Sequence, residues 1–270
     1  MSLTLPLYEK VQTGVLLVEP IDGTAKTCMD ALKERCLEMG DGDVVARARM
    51  QDCNGKDWRK SDYCTKGVWV PVSVTTDKDG VYFARGSFDP LWGSPERVQL
   101  AIDAHCNPKG FQEYVLDASL VEQLKDSGKV DVGGASKTGV LFVPWKSIPS
   151  EVPTRQYGKE PVFLYVFPET AGVYGNWLDS VGIENSGVYS LGKTKEPTTR
   201  PLWVRSLSSG SNLGGDGDLG NGGRVLGVRR EQKISTGNEG IEQVVSDGEV
   251  VGLRFKGKTY VLVDPAVLKQ

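Results

Sequence analysis

The chain has 270 residues, a formal net charge of −3 at neutral pH and a pI near 5.4. This acidic balance argues against a protein that coats nucleic acid by bulk attraction, so any site for a polyanion has to be local. Apolar residues make up 39% and charged residues 25%, enough for a core in one large domain or two smaller ones. No apolar run approaches the length of about 18 residues that a membrane span requires, and the N-terminus shows no secretory signal. The sequence predicts a cytoplasmic protein with no membrane partner.

The cysteines are odd in number and form no CxxC pair, which predicts reduced thiols. They are Cys28, Cys36, Cys53, Cys64 and Cys106. A zinc site from Cys53, Cys64, His105 and Cys106 is an alternative, but this spacing matches no zinc ribbon or finger. The sequence therefore predicts neither a metal nor another cofactor.

The first elements indicate an α+β start. A bounded apolar run at Gly14–Pro20 predicts a strand, and Thr24 is placed to cap a helix that ends at Gly40. Residues 43–52 then alternate, which predicts a strand with Arg47 and Arg49 on its wet face. This order of strand, helix and strand is typical of a ferredoxin-like or other α+β unit.

A polar segment at 54–66 carries Trp58 and Tyr63 among basic residues. Aromatic rings interleaved with cations can stack on bases, or they can anchor a loop to the edge of the core. The segments on either side of Asp77 and Gly80 alternate, and the Asp-Gly turn between them predicts a β-hairpin. Strands near 98–102 and 111–116, a helix at 119–128 and a linker at 129–138 follow.

The run TGVLFVP at 138–144 echoes TGVLLVEP at 13–20, which suggests halves at 1–130 and 131–270. The second half contains strands predicted at 161–167, 187–191 and 202–206, a helical turn at 174–181, and a meander of three strands over 242–264. In the strand at 202–206, we expect Trp203 on one face and Arg205 on the other. The predicted fold class is α+β and β-rich, with mainly antiparallel sheets and two or three short helices. Two ferredoxin-like halves are an open alternative.

A glycine-rich stretch at 207–230 is the most informative part of the chain. It contains eight glycines between Ser208 and Gly227, which predicts a loop because glycine is poorly suited to a helix or strand interior. Successive glycine amides can form a concave nest for an anion, or the stretch can be a plain flexible excursion. Between Lys193 and Arg230, seven basic residues face three acidic ones, and the arginines flanking the glycines are Arg205, Arg224, Arg229 and Arg230.

Catalysis has little support in the sequence, although an enzyme is not excluded. The G-x-S-x-G nucleophile motif is absent, and a single histidine is available for acid–base chemistry. Asp216 and Asp218, with Asn221, could hold Ca²⁺, yet their spacing departs from the EF-hand loop. The sequence favours a non-catalytic role with no catalytic residues.

The segment from Leu213 to Val225 resembles the C-terminal glycine-rich motif, hGGxxxhGxG followed by a strand, of the RAMP superfamily of CRISPR effector subunits. Members of that superfamily use ferredoxin-like folds to hold guide RNA. The resemblance implies that Gly214, Gly215, Gly220 and Gly222 are the loop glycines and that Arg224 contacts phosphate.

On this basis we expect a non-catalytic subunit of a nucleoprotein assembly that contacts an RNA backbone through the glycine loop and its arginines. Its partners would be RNA and the protein subunits of a larger assembly. The alternative is a viral or phage structural or recognition protein in which the loop mediates contacts between subunits. A metal-dependent hydrolase or transferase using Asp216 and Asp218 is the third hypothesis.

Overall fold

The structure is a computed structural model. It describes residues 15–53, 57–86, 89–92, 99, 139–189, 192–193, 197–215, 219, 222–230, 232–234, 241–246, 249–255 and 258–261, with side chains between Val18 and Arg229. Except for Gln99, the elements predicted between 98 and 128 and the linker at 129–138 lie outside these residues.

The described residues form fifteen strands and five α-helices. The strands are β1 (Val15–Gly23), β2 (Glu38–Met39), β3 (Val68–Thr76), β4 (Gly80–Arg85), β5 (Val140–Pro144), β6 (Val152–Pro153), β7 (Asn185–Ser186), β8 (Val188–Tyr189), β9 (Thr198–Val204), β10 (Leu213–Gly214), β11 (Gly223–Arg230), β12 (Gln232–Ile234), β13 (Ile241–Ser246), β14 (Glu249–Phe255) and β15 (Lys258–Val261). The helices are α1 (Ala25–Glu34), α2 (Gly42–Asp52), α3 (Asp62–Thr65), α4 (Pro161–Val166) and α5 (Ala171–Ser180).

The central sheet has six strands in the order β5-β4-β3-β9-β10-β8, and all its pairs are antiparallel except β10 with β8. A second sheet has the order β1-β11-β2, a third is the meander β12-β13-β14-β15, and β6 pairs with β7. The predicted α+β, β-rich and mainly antiparallel fold class is confirmed, with five short helices in the described residues where we expected two or three.

The described strands do not separate into two ferredoxin-like halves. The central sheet joins β3 and β4 from residues 1–130 to β5 and β9 from residues 131–270, and β1 pairs with β11 along its length. A ferredoxin-like unit would keep its strands within one sheet of its own. The core is therefore shared between segments far apart in the sequence.

Apolar side chains cover both faces of the central sheet. On one face, Val68 and Val70 of β3 belong to a large core that includes residues of α2, α3, α4 and α5. On the other face, Trp69 packs in a smaller core with Cys28 and Leu32 of α1. This alternation along β3 is what a strand buried on both faces requires.

The prediction of a strand over 43–52 is wrong, because these residues form helix α2. The Asp41 side chain caps this helix by accepting a hydrogen bond from the Val44 N–H at 3.0 Å. Val44, Val45, Ala46, Ala48 and Arg49 are all buried. A helix buried on most of its surface lacks the polar stripe from which its 3.6-residue period would be recognised.

The strand predicted at 161–167 is also wrong, since the segment begins with helix α4. Pro161 stands at the first helical turn, where its missing N–H costs nothing. Val162, Phe163, Tyr165 and Val166 are buried, so the apolar run reflects burial on several sides. The helical turn predicted at 174–181 is confirmed by α5.

Three other predictions are confirmed. Thr24 caps α1 by accepting from the Thr27 N–H, and β3 and β4 form the predicted hairpin. In that hairpin the Asp77 carboxylate accepts from the N–H groups of Asp79 and Gly80. The meander over β13, β14 and β15 is likewise present.

The description of 207–230 as one loop is wrong at β10 and for its last third. Residues 223–230 form β11, which pairs with β1 over its whole length. A Cβ at Gly223 would lie 2.5 Å from the Trp69 ring, and a Cβ at Gly227 would lie 2.7 Å from Leu37. Glycine is therefore used in this strand for close packing.

Candidate binding surface

Four residues form a row across the central sheet. Tyr189 of β8 pairs with Gly214 of β10, Gly214 pairs with Trp203 of β9, and Trp203 pairs with Trp69 of β3. Because paired residues on neighbouring strands share a face, the three rings lie on one side of the sheet. We call Trp69, Trp203, Gly214 and Tyr189 the aromatic row.

The aromatic row runs from the core to the surface. Trp69 is buried under Gly223 at the start of β11, and Trp203 is half-buried with its ring against Gly67. Tyr189, on the edge strand, is 49% exposed. The exposed end of the row is thus continuous with a packed interior, which fixes its position.

Arg205 lies over this exposed end. Its guanidinium carbon is 5.1 Å from the centre of the Tyr189 ring and 5.4 Å from the centre of the Trp203 ring. Both distances are in the range of cation–π contacts. Gly214 stands between these rings in the row and has no side chain to compete for the space. The expectation that Trp203 and Arg205 face opposite sides is wrong, since residues two apart along an extended chain share a side.

Backbone hydrogen bonds fix the strands that carry the row. The Arg205 N–H donates to the Asn212 carbonyl at 2.8 Å, and the Gly215 N–H donates to the Tyr189 carbonyl at 2.6 Å. The Gly187 N–H donates to the Asn212 side-chain oxygen at 2.6 Å. The predicted glycines Gly214 and Gly215 therefore lie in a paired, buried segment, in which Gly214 belongs to the aromatic row and a Cβ at Gly215 would contact Val74 of the large core.

Arg49 supports the same corner from the large core. It is fully buried, and its guanidinium donates to the carbonyls of Val204 and Arg205 at 3.4 and 2.9 Å. Four further acceptors complete its shell, namely the Tyr63 and Lys66 carbonyls, the Tyr174 hydroxyl and the Ser211 hydroxyl. Sequence reasoning missed this role because it placed Arg49 on the wet face of a strand.

Arg224 does not lie on an exposed loop. Its side chain is 2% exposed and forms ion pairs with the carboxylates of Asp22 and Asp62, both at 2.7 Å. Its Nη1 also donates to the Asp62 carbonyl at 2.9 Å. The hydrogen bonds from Arg224 lower the pKa of Asp22, although partial burial acts in the opposite direction. This guanidinium ties β11 to β1 and α3, and it is not free to take a phosphate.

The remaining predicted residues are scattered. Arg229 lies five positions after Arg224 along β11, hence on the opposite face, and donates to the Arg35 carbonyl at 3.3 Å. Arg230 belongs to β11, and its side chain is outside the described residues. Gly222 is exposed, and a Cβ there would meet nothing within 4 Å. Gly220, Asp216 and Asp218 lie outside the described residues.

The aromatic residues of the predicted loop 54–66 have separate roles. Tyr63 is buried, and its hydroxyl donates to the Val18 carbonyl, which makes it an anchor. Trp58 is half-buried, with the Arg59 guanidinium 4.8 Å from its ring centre. Of the two roles predicted for these aromatic residues, base stacking or anchoring to the core, Tyr63 therefore has the second.

No family model and no curated protein sequence matches this chain. A solved structure described as accommodating massive sequence variation in Nanoarchaeota by the C-type lectin fold is similar to it, with a TM-score of 0.53 and 16% identity. The match covers 78% of this chain and 97% of the other. At this identity the likeness is one of fold, so the described architecture is similar to a C-type lectin fold.

Other classes of site have no support in the described residues. Among these residues, no helix is both long and apolar enough to cross a membrane. The same part of the chain brings together no group of three or more His, Cys, Asp or Glu side chains suited to a metal ion. Within the zinc alternative, Cys53 and Cys64 are adjacent, whereas His105 and Cys106 lie outside the described residues.

Proposed function

We propose that this chain is a non-catalytic recognition protein that contacts a protein partner through the exposed end of the aromatic row. The observation that carries the proposal is the Arg205 guanidinium held between the rings of Tyr189 and Trp203. The sequence offered a recognition protein as its alternative and placed the binding surface at the glycine loop. The present proposal keeps the recognition role and places the binding surface at the edge of the central sheet.

The residue types at this surface are those that dominate binding energy at protein interfaces. Trp, Tyr and Arg are enriched among hot spots because they combine large apolar area with a polar or charged end. Here Tyr189 and Trp203 stand on strands β8 and β9, and Arg205 follows β9 at a position held by the Arg49 and Asn212 hydrogen bonds. A partner would therefore lose little free energy in ordering them, which raises affinity for a given contact area.

The fold likeness supports recognition as the class of function. The similar structure is described as accommodating massive sequence variation, and a scaffold with that tolerance suits surfaces that differ from one protein to the next. In this chain the candidate surface stands over a core packed on both sides of the sheet. Exposed side chains at such a surface can change without loss of the interior packing.

RNA is the second candidate partner. A guanidinium between two aromatic rings can also stack on bases, and the open surroundings of Gly222 would allow close approach of a backbone. This candidate ranks second because Arg224, the predicted phosphate contact, already binds two carboxylates. The nucleoprotein role, the RAMP resemblance and the cytoplasmic location stay predictions.

A site-specific photo-crosslinker distinguishes these candidates. Tyr189 is replaced by a benzophenone amino acid in the full chain, expressed in its native cells, and the covalent adducts are identified by mass spectrometry. The matched control carries the same group at Val173, which is 64% exposed on α5. A protein adduct specific to position 189 is then purified, and its affinity is measured with the wild-type chain and with Arg205→Ala.

The expected result is a protein adduct at position 189 whose affinity falls at least about tenfold in Arg205→Ala, as for a hot-spot residue. RNA adducts at position 189, with binding that weakens steeply with salt, would replace the first candidate with the second. Equal adduct patterns at positions 189 and 173 would refute both.

A further inference from the structure

Two cysteines that are distant in sequence meet in the large core. Cys53 caps the C-terminus of α2 and Cys64 lies in α3, and their Sγ atoms are 2.8 Å apart. This separation is only about 0.8 Å longer than a disulfide bond of about 2.05 Å. Both side chains are buried, with 5% and 0% exposure.

One peptide group positions both residues. The Arg49 carbonyl accepts from the Cys53 N–H at 3.1 Å and from the Cys64 thiol at 3.9 Å. The Cys64 N–H is in turn fixed by the Ser61 hydroxyl at 3.2 Å. The two sulfur atoms therefore face each other as a result of helix capping and need no further rearrangement of the backbone to stay in contact.

We infer that Cys53 and Cys64 form a structural disulfide bond, in place of the reduced thiols that the odd number of cysteines and the lack of a CxxC pair predicted for these two positions. The bond forms in the folding chain by thiol–disulfide exchange with a small disulfide such as oxidised glutathione. One cysteine thiolate attacks the glutathione disulfide and releases one glutathione thiol, and the other cysteine then attacks the mixed disulfide and releases the second. Overall, two protein thiols are oxidised to one disulfide, and one oxidised glutathione is reduced to two thiols.

The bond has a structural consequence for the candidate surface. It closes the segment between α2 and α3, next to the Tyr63 and Lys66 carbonyls that bind the Arg49 guanidinium. Arg49 holds the Val204 and Arg205 carbonyls from the same position. The disulfide therefore stabilises the support on which Arg205 stands, whatever the partner of that surface.

Other described cysteines do not compete for this pairing. Cys28 belongs to the smaller core, where its thiol donates to the Ile21 carbonyl at 3.5 Å. Cys36 is exposed at the end of α1 and is the suitable control position. Burial, together with the contact to Cys53, raises the pKa of Cys64 to about 12, so the folded thiol pair would react slowly with an external oxidant. Oxidation during folding avoids this barrier.

The test is refolding of the full chain from the reduced, denatured state in a glutathione redox buffer, and in parallel with dithiothreitol. Free thiols are alkylated, and peptides are mapped by mass spectrometry. We expect a Cys53–Cys64 linked peptide only in the glutathione sample, and a Tm higher by roughly 5–10 °C than in dithiothreitol, as a loop of this length implies. Cys36→Ser should retain both results.

The double variant Cys53→Ala/Cys64→Ala should show the same Tm in both buffers. Where this variant does not fold, the peptide map of the wild-type chain decides. Alkylation of both Cys53 and Cys64 after refolding in glutathione, or a link from either to another cysteine, would overturn the inference. The test does not involve the proposed partner, so its outcome is independent of the proposed function.

Discussion

The Arg224 guanidinium binds the Asp22 carboxylate through two parallel hydrogen bonds, from Nε to Oδ1 at 2.7 Å and from Nη2 to Oδ2 at 2.8 Å. This bidentate pair joins β11 to β1, whose residues are about 200 positions apart in the sequence. Arg224, which the sequence predicted as the phosphate contact, therefore has a structural role in joining these two strands.

We expect Arg224→Ala to lower the free energy of unfolding by about 2–4 kcal/mol, because it leaves the Asp22 and Asp62 carboxylates without their buried cation. Lys66→Ala is the matched control, since Lys66 pairs with the same carboxylates from an exposed position. That variant should lose less than about 1 kcal/mol. Urea unfolding monitored by circular dichroism measures both, and equal losses would contradict a structural role specific to Arg224.

Arg49→Met should destabilise the protein by about 4 kcal/mol or more, or prevent folding, because six acceptors in and beside the core each lose a charged donor. Arg47→Met, on the same helix, removes an ion pair with Glu169, whose side chain is 69% exposed. That control should cost at most about 1 kcal/mol. The fraction of soluble folded protein and urea unfolding give the comparison, and similar stabilities for the two variants would be incompatible with the structure.

Asp89 predicts a pH dependence of stability. Its buried carboxylate accepts from the N–H groups of Ser73, Leu91 and Trp92, and burial outweighs these bonds and raises its pKa to about 6. In the unfolded chain the pKa is about 4, so between these values the folded state holds a proton that the unfolded state has released. The contribution of this group to the free energy of unfolding therefore decreases as pH rises from about 4 to about 6, and is constant above.

The measurement is urea unfolding of the wild-type chain and of Asp89→Asn over this pH range. The stability of the wild type relative to the variant should fall by about 2–3 kcal/mol between the two limits. The Asp89→Asn variant lacks one carboxylate acceptor at every pH, so only the change with pH tests the prediction. Parallel curves for the two proteins would show that the pKa of Asp89 is the same in the folded and unfolded states.

Gly222 and Gly223 are adjacent yet have different surroundings. We expect Gly223→Ala to cost about 1–3 kcal/mol, because its Cβ would lie 2.5 Å from the Trp69 ring. Gly222→Ala should stay within about 0.5 kcal/mol of the wild type, since its Cβ would meet nothing within 4 Å. Thermal unfolding of the two variants under identical conditions decides, and the reverse order of stability would contradict the packing of β11 on Trp69.

Elements that depend only on residues close together in the chain could be predicted from the sequence alone. The β3–β4 hairpin follows from alternation and from the turn at Asp77, and α1 follows from the Thr24 cap and its apolar spacing. Such signals work because a turn or a cap is completed within a few residues. The β13–β15 meander could be predicted for the same reason.

In α2 and α4, burial on several sides removed the helical periodicity from the sequence. Residues of α2 and α4 face the core in most directions, so their apolar patterns indicated strands, although the cap at Asp41 and Pro161 at a first turn mark helix starts. The glycines of β11 suggested a loop because their reason for being glycine, contact with Trp69 and Leu37, comes from other parts of the chain.

The fold class, the β3–β4 turn, the Thr24 cap and the presence of Arg205 beside a glycine-rich stretch followed from the sequence alone. Which arginine lies beside the exposed aromatic rings depends on the tertiary structure, because strand pairing sets the neighbours of each guanidinium. Arg224 meets Asp22 through the β1–β11 register, whereas Arg205 meets Tyr189 and Trp203 through the register of β8, β9 and β10. Register links residues far apart in the chain, and no local pattern carries that information.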